Sequence, residues 1–256
     1  MFKDQWIAFG TIVRKERIRI LRIWTQTLLP PVITQTLYFL IFGKLIGGQL
    51  NAIHGVAYMD FIIPGLVMMA VINNSFSNVV SSFFSSKFQR NIEELLVSPT
   101  SNEVMVAGFI SGGLMRGLIV GTLVFIISCF FSPPHIAHLA IVVLFSVLTS
   151  MLFSLGGLLN GIFAKNFDDV AFFPNFILTP LTYLGGVFYS IESLPEVGRQ
   201  LAKLNPIVYI VDGFRYGFLG FSDYNIFFSA LFLAALTVVF LFVALFLLKK
   251  GTGIKN

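Results

Sequence analysis

The sequence predicts an all-α protein built into a bilayer, with six transmembrane helices, an N-terminal amphipathic helix in the membrane interface, and a re-entrant outer segment between helices five and six. Three observations carry this. The 256 residues are 56% hydrophobic and 11% charged, where a soluble domain carries roughly a quarter charged residues. Thirty Phe stand against two Trp and seven Tyr, and a Phe ring has no polar tip that needs an aqueous partner. Six apolar stretches reach the length, about 20 residues, that a helix needs to cross the hydrocarbon.

Those stretches are 27–46, 61–83, 112–131, 136–163, 170–189 and 227–248. Six crossings return both termini to one side. Placing the termini in the cytoplasm assigns twelve of the seventeen Lys and Arg to that side and four, Lys44, Arg199, Lys203 and Arg215, to the outer one. Cytoplasmic loops carry such an excess. The remaining cation, Arg116, stands in the inner third of the third span, where it either snorkels to the headgroups or faces a partner helix beside Gly108, Gly112, Gly113 and Gly117.

Residues 1–25 form a separate unit ahead of the membrane domain at 26–253. At about 100° per residue, Trp6, Phe9, Val13, Ile20 and Trp24 share one sector, and Lys15, Arg19 and Arg22 lie opposite. This is the pattern of a helix with its apolar stripe in the acyl boundary and its cations toward anionic headgroups. The N-terminus has no continuous apolar h-region and no small-residue cleavage site, so no cleaved signal peptide is expected. The net charge of +5 bears on orientation and on membrane lipids as partners; no nucleic-acid partner is expected. The one cysteine, Cys129, leaves no internal disulfide and no cysteine metal cluster.

Catalytic chemistry finds little support. There is no G-x-x-x-x-G-K-[ST] loop to cradle nucleotide phosphates, so any ATP is hydrolysed elsewhere. No acidic residue lies inside a predicted span, which leaves ion coupling without its usual group, although a secondary transporter or channel stays open. His135 and His138 lack the H-E-x-x-H spacing that sets two ligands on one helix face, and there is no G-x-S-x-G elbow. No catalytic, metal or cofactor residues are assigned.

Two connecting segments are more informative. The loop KFQRNIEELLVSP reads as a short amphipathic helix closed by Ser98 and Pro99, with Arg90, Glu93 and Glu94 polar and Ile92, Leu95 and Leu96 apolar. It is either a lever for a soluble partner or a plain connector on the headgroups. Beyond the fifth span, Leu194, Val197, Leu201 and Leu204 recur at spacings of three and four, and a short apolar run from Pro206 holds Asp212 and Arg215 at i, i+3, the spacing of an ion pair.

From Leu178 to Arg215 the chain reads LTPLTYLGGVFYSIESLPEVGRQLAKLNPIVYIVDGFR. This resembles the signature of ABC-2 type transporter permeases through Leu178, Leu181, Leu184, Gly185, Val187, Leu194 and Pro195, resuming at Pro206, Ile207, Tyr209 and Arg215. FQRNIEELLVSP is similar to the family's coupling-helix region, and the resemblance covers roughly residues 26 to 253. It implies the permease subunit of a bacterial cytoplasmic-membrane exporter, working as a homodimer with two cytoplasmic ABC ATPase subunits that hold the ATP and Mg. It further implies an ATPase-coupling loop of Lys87, Arg90, Glu93, Glu94, Leu95 and Leu96; the apolar stripe and the non-spanning run after it are read, from the residues themselves, as an outer gate with Pro195, Pro206, Tyr209, Asp212 and Arg215. Phe-rich spans with no Trp lean the cargo toward an amphipathic or lipid-like molecule, with a glycan also within the family's range.

Overall fold

A computed structural model describes residues 2–49, 52–53, 55–133 and 135–253. Among the described residues it is helical throughout, with a single isolated bridge between Ile53 and Val56. Five helices among the described residues are long and apolar enough to cross a bilayer: α2 (Trp24–Gln49), α3 (Tyr58–Phe88), α5 (Asn102–Ser128), α6 (Leu139–Phe163) and α10 (Ile226–Lys250). They match five of the predicted stretches, each extended at one end or both except α6, which begins slightly later.

The stretch 170–189 is not a regular helix of that length. It lies in a broken rod over 167–183: α7 (Phe167–Phe173), a π-helical turn (Pro174–Leu178) and a short α-helical end (Thr179–Tyr183). Pro174 and Pro180 each remove a backbone donor, so the hydrogen-bond ladder shifts register, and Thr179 N–H reaches back to the Pro174 carbonyl. The chain then turns at Gly185 and Gly186, the latter at φ 74°, a conformation that favours glycine. Hydropathy alone has no term for either effect.

α3 is the hub of the bundle. Its apolar window is 83% buried, against 17–39% for the other four helices. This explains a composition odd for a span, with Asn73, Asn74, Ser75, Asn78, Ser82 and Ser86 along it: a helix shielded on every side can carry polar groups that a lipid-facing one cannot. Asn74 Nδ2 donates to the Ala70 carbonyl (2.9 Å). Close approach comes from glycines on two faces of α5. Gly113 and Gly117 stand against Ser154 and Ser75, while Gly108 and Gly112 receive Ile12 and Glu16 of α1 (Phe2–Arg22).

That packing corrects part of the reading of α1. Trp6 and Trp24 are exposed at 61% and 51%, but Lys15 and Arg19 do not point toward headgroups. Lys15 Nζ donates to Ser86 Oγ (3.3 Å) and Arg19 reaches Asn78, so this side of α1 is bound to α3. Helical phase cannot tell a lipid-facing cation from one that meets a neighbouring helix.

The remaining elements cap the two ends of the bundle. α4 (Asn91–Val97) joins α3 to α5 at one end. At the other lie residues 129–133 and 135–138 and the C-terminus of α9 (Pro206–Leu219), which follows α8 (Glu196–Ala202). α9 rises obliquely along α6: Pro206 and Ile207 border the same cavity as Leu152 and Phe153, while the carbonyls of Gly217 and Phe218 accept from the N–H groups of His138 (2.8 Å) and Ala137 (3.1 Å).

Candidate functional site

α4 is held by a dense local framework. Arg90 precedes it at φ 61°, the one non-glycine residue with positive φ among those described, turning the chain sharply off α3. Ile92 is buried at 2% exposure in a cluster with Phe83, Met105 and Phe109, and Leu95 packs against the same cluster. Glu93, Glu94 and Arg90 face outward, beside the exposed Phe88 and Val97. Leu96 lies in the helix, but its side chain is outside the described part. The far side of the turn is tied to α1: Gln5 Nε2 donates to the Pro99 carbonyl (2.6 Å) and Gln5 Oε1 accepts from Ser101 N–H (2.9 Å). Ser101 in turn caps α5.

Lys87 faces the other way. Its ammonium donates to the carbonyls of Ile162 (2.8 Å) and Ala164 (2.6 Å) at the C-terminus of α6, where a helix presents unpaired carbonyls and partial negative charge. It is a brace within the bundle and not part of the outward surface with which the sequence grouped it.

The predicted gate residues lie along α8 and α9, each with its own partners. Pro195 opens α8 as its N-cap. Pro206 opens α9 at a position where its missing N–H costs nothing. Asn205 caps α9 by accepting from Ile207 N–H (3.0 Å), and its amide donates to the Leu181 carbonyl (2.7 Å), tying α9 to the end of the broken rod. Tyr209 donates to the Lys203 carbonyl (3.0 Å) and packs on the rings of Tyr224 and Phe232.

Asp212 and Arg215, at 3% and 2% exposure, do not form the expected ion pair. The Asp212 carboxylate accepts from the backbone N–H groups of Asp223 (2.9 Å) and Tyr224 (3.1 Å), closing the turn after α9. Arg215 Nη2 donates to the Gly186 carbonyl (2.7 Å), and its guanidinium lies 3.8 Å from the centroid of the Phe61 ring. Each charge has found partners that the i, i+3 spacing does not reveal. The stripe Val197, Leu201 and Leu204 is exposed at 63–79%, so α8 turns its apolar side away from this chain's core.

Arg116 does not snorkel. Its guanidinium donates to Asn74 Oδ1 on α3 (3.0 Å) and to the Thr27 carbonyl on α2 (3.4 Å), tying three helices. Nearby lies a site missed by sequence reasoning. Glu16, with no exposed surface, accepts from Ser82 Oγ, from Arg19 Nη2 (2.8 Å) and from Asn78 Nδ2 (3.4 Å). Arg19 also donates to Asn78 Oδ1 (2.8 Å). The available signal was the Glu16–Arg19 spacing together with the Asn- and Ser-rich face of the second span.

The sequence profile of the family described as ABC-2 type transporter matches residues 7–219. The chain is 54% identical over 251 residues to the inner membrane transport permease YadH of Escherichia coli K12, covering 98% of both chains. It is 22% identical over 185 residues to nodulation protein J of Rhizobium leguminosarum bv. viciae, covering 72% of this chain and 71% of that one. To nodulation protein J of Neorhizobium galegae it is 22% identical over 216 residues, with 84% and 81% covered.

Proposed function

Since the chain belongs to the ABC-2 type transporter family, we propose that it is the permease subunit of an ATP-driven exporter in the bacterial cytoplasmic membrane, working as a homodimer with a separate cytoplasmic ATPase. The carrying observation is α4, a short helix whose Ile92 and Leu95 pack against α3 and α5, and whose following turn is hydrogen-bonded to Gln5 of α1, while Arg90, Glu93 and Glu94 stay exposed. A rigidly seated helix with a free charged face passes force from a soluble partner into the bundle without dissipating it in loop motion.

On this reading the α4 end and both termini are cytoplasmic, as the basic residues require. The rod over 167–183 is a sixth crossing: Phe167 packs on Phe84 and Phe88 at the α4 end (5.0 Å between ring centroids in each case), and Tyr183 meets Tyr38 (2.7 Å between hydroxyls) toward the other. α8 and α9 then form the re-entrant outer segment. α9 starts beside Pro206 at the depth of Leu152 and climbs to the level of His138, fully packed within protein as irregular structure at that depth must be. Pro195, Pro206, Tyr209, Asp212 and Arg215 shape it as the outer gate. The exposed Trp6 of α1 and Trp24 at the start of α2 suit residues 2–25 to the interface, ahead of the membrane domain. The cargo is an amphipathic, lipid-like or glycan molecule, and ATP and Mg are held by the ATPase.

Affinity-tagged chain, extracted in mild detergent from cells that express its native operon, tests this directly. A nucleotide-binding subunit is expected to co-purify and to hydrolyse ATP in the complex. A chain that runs alone and transports in response to a proton or sodium gradient overturns the reading.

A further inference from the structure

A groove opens on the flank of the bundle between the last turns of α5 and the first turns of α6, with α3 and α9 behind it. Its shaft, about 150 Å³, is lined by apolar groups including Val67, Val71, Leu139, Val142 and Phe214. Leu139 is 63% exposed and Thr122 lies at the surface, so the shaft opens sideways, toward the hydrocarbon on the membrane reading. At the end of the bundle remote from α4, Phe125 and Phe218 are shared with a neck of about 20 Å³ in which Asp60, Ser128, Ser132 and His135 stand among Ile63 and Leu219.

We propose that this groove holds one phospholipid of the surrounding bilayer with a primary-ammonium headgroup, its acyl chain in the shaft and its ammonium at Asp60. Charge selects the headgroup. Asp60 accepts from Ser132 Oγ through Oδ1, and among the described residues it meets no basic partner and no donor to Oδ2. A phosphate or glycerol-phosphate headgroup brings no cation to a carboxylate; an ethanolamine headgroup does. Hydrogen bonding narrows the choice again. A primary ammonium donates to a carboxylate oxygen, and a trimethylammonium has no N–H to donate. The Phe125 and Phe218 rings, 5.5 Å apart between centroids, add aromatic surface to which a cation is attracted. The exposed His135 stands where the lipid phosphate emerges and can donate to it. The proposal rests on the membrane reading of the chain and is independent of whether an ATPase drives it.

The test is native mass spectrometry of the purified full-length chain in detergent, incubated with equimolar dioleoyl phosphatidylethanolamine, phosphatidylcholine and phosphatidylglycerol. One phosphatidylethanolamine per chain is expected to survive activation that strips the other two. Asp60→Asn is expected to lower that retention about tenfold, the scale of one charge-assisted hydrogen bond. Thr122→Trp, a surface change that fills the shaft mouth, is expected to lower retention whatever the headgroup. Unchanged unfolding temperature in Thr122→Trp keeps that arm interpretable. Equal retention of the three lipids, an Asp60→Asn chain with undiminished preference, or a Thr122→Trp chain that binds as before each overturns the proposal.

Discussion

The guanidinium of Arg215 lies over the ring of Phe61, 3.8 Å from its centroid, and not against Asp212. It also donates to the Gly186 carbonyl (2.7 Å), and so joins α9, α3 and the turn after the broken rod. Arg215→Ala is expected to destabilise the chain by about 2 kcal/mol, from loss of a charge-assisted hydrogen bond and the ring contact. Arg215→Lys recovers only part of that, because an ammonium lacks the planar stack. Combining Asp212→Arg with Arg215→Asp is expected to restore nothing, since the two residues have separate partners. Thermal unfolding in detergent measures all three, and a double variant that regains stability refutes the separate roles.

Asp212 closes the turn into α10 by accepting two backbone N–H groups. Asp212→Ala leaves both donors in a buried site, at a cost of about 1–3 kcal/mol each where water does not replace the carboxylate. Asp212→Asn keeps one acceptor and is expected to fall between. Faster amide exchange at Asp223 and Tyr224, with little change along α3, is the expected signature.

The Glu16 cluster makes α1 part of the bundle. Glu16→Ala removes the carboxylate beside Arg19 and is expected to cost about 1.5–3 kcal/mol, the range for a hydrogen bond to a charged group, because the Arg19 side chain keeps 25% exposure and its bonds to Asn78. Replacing both, Glu16→Leu with Arg19→Leu, is expected to cost less than either single change. A double-mutant cycle on unfolding temperature decides this, and additive losses count against the coupling.

Glu93→Lys with Glu94→Lys leaves the packed side of α4 untouched, so expression and unfolding temperature are expected to hold while ATPase retention falls at least about fivefold, some 1 kcal/mol of docking energy. Ile92→Asp inserts a charge where exposure is 2% and is expected to lower stability itself. Lys87→Met strips the cap from α6 and is expected to act through stability as well. Retention that survives the Glu93 and Glu94 reversal locates docking elsewhere.

Cys129 is exposed at the end remote from α4 and serves as a native topology reporter. A membrane-impermeant maleimide added to whole spheroplasts is expected to label it. In a Cys129→Ser background, a cysteine at Glu94 is expected to react only after the membrane is opened. The reverse pattern inverts the assigned orientation.

The chain's own residues determined that it is helical, apolar enough for a bilayer, and connected by a short acidic helix at one end and an ordered segment at the other. These follow from run length, charge and periodicity, which are local properties that survive without knowledge of neighbours. Only the tertiary structure decided what each ionisable group meets. Asp212 and Arg215 sit one helical turn apart yet bond to Tyr224 and Gly186; Lys87 turns inward to α6; Arg116 binds Asn74; and Glu16 is buried against Ser82. The physical reason is that a buried charge must be satisfied by whichever donor or acceptor the packing brings within about 3 Å, and that partner is set by how helices distant in sequence lie against each other.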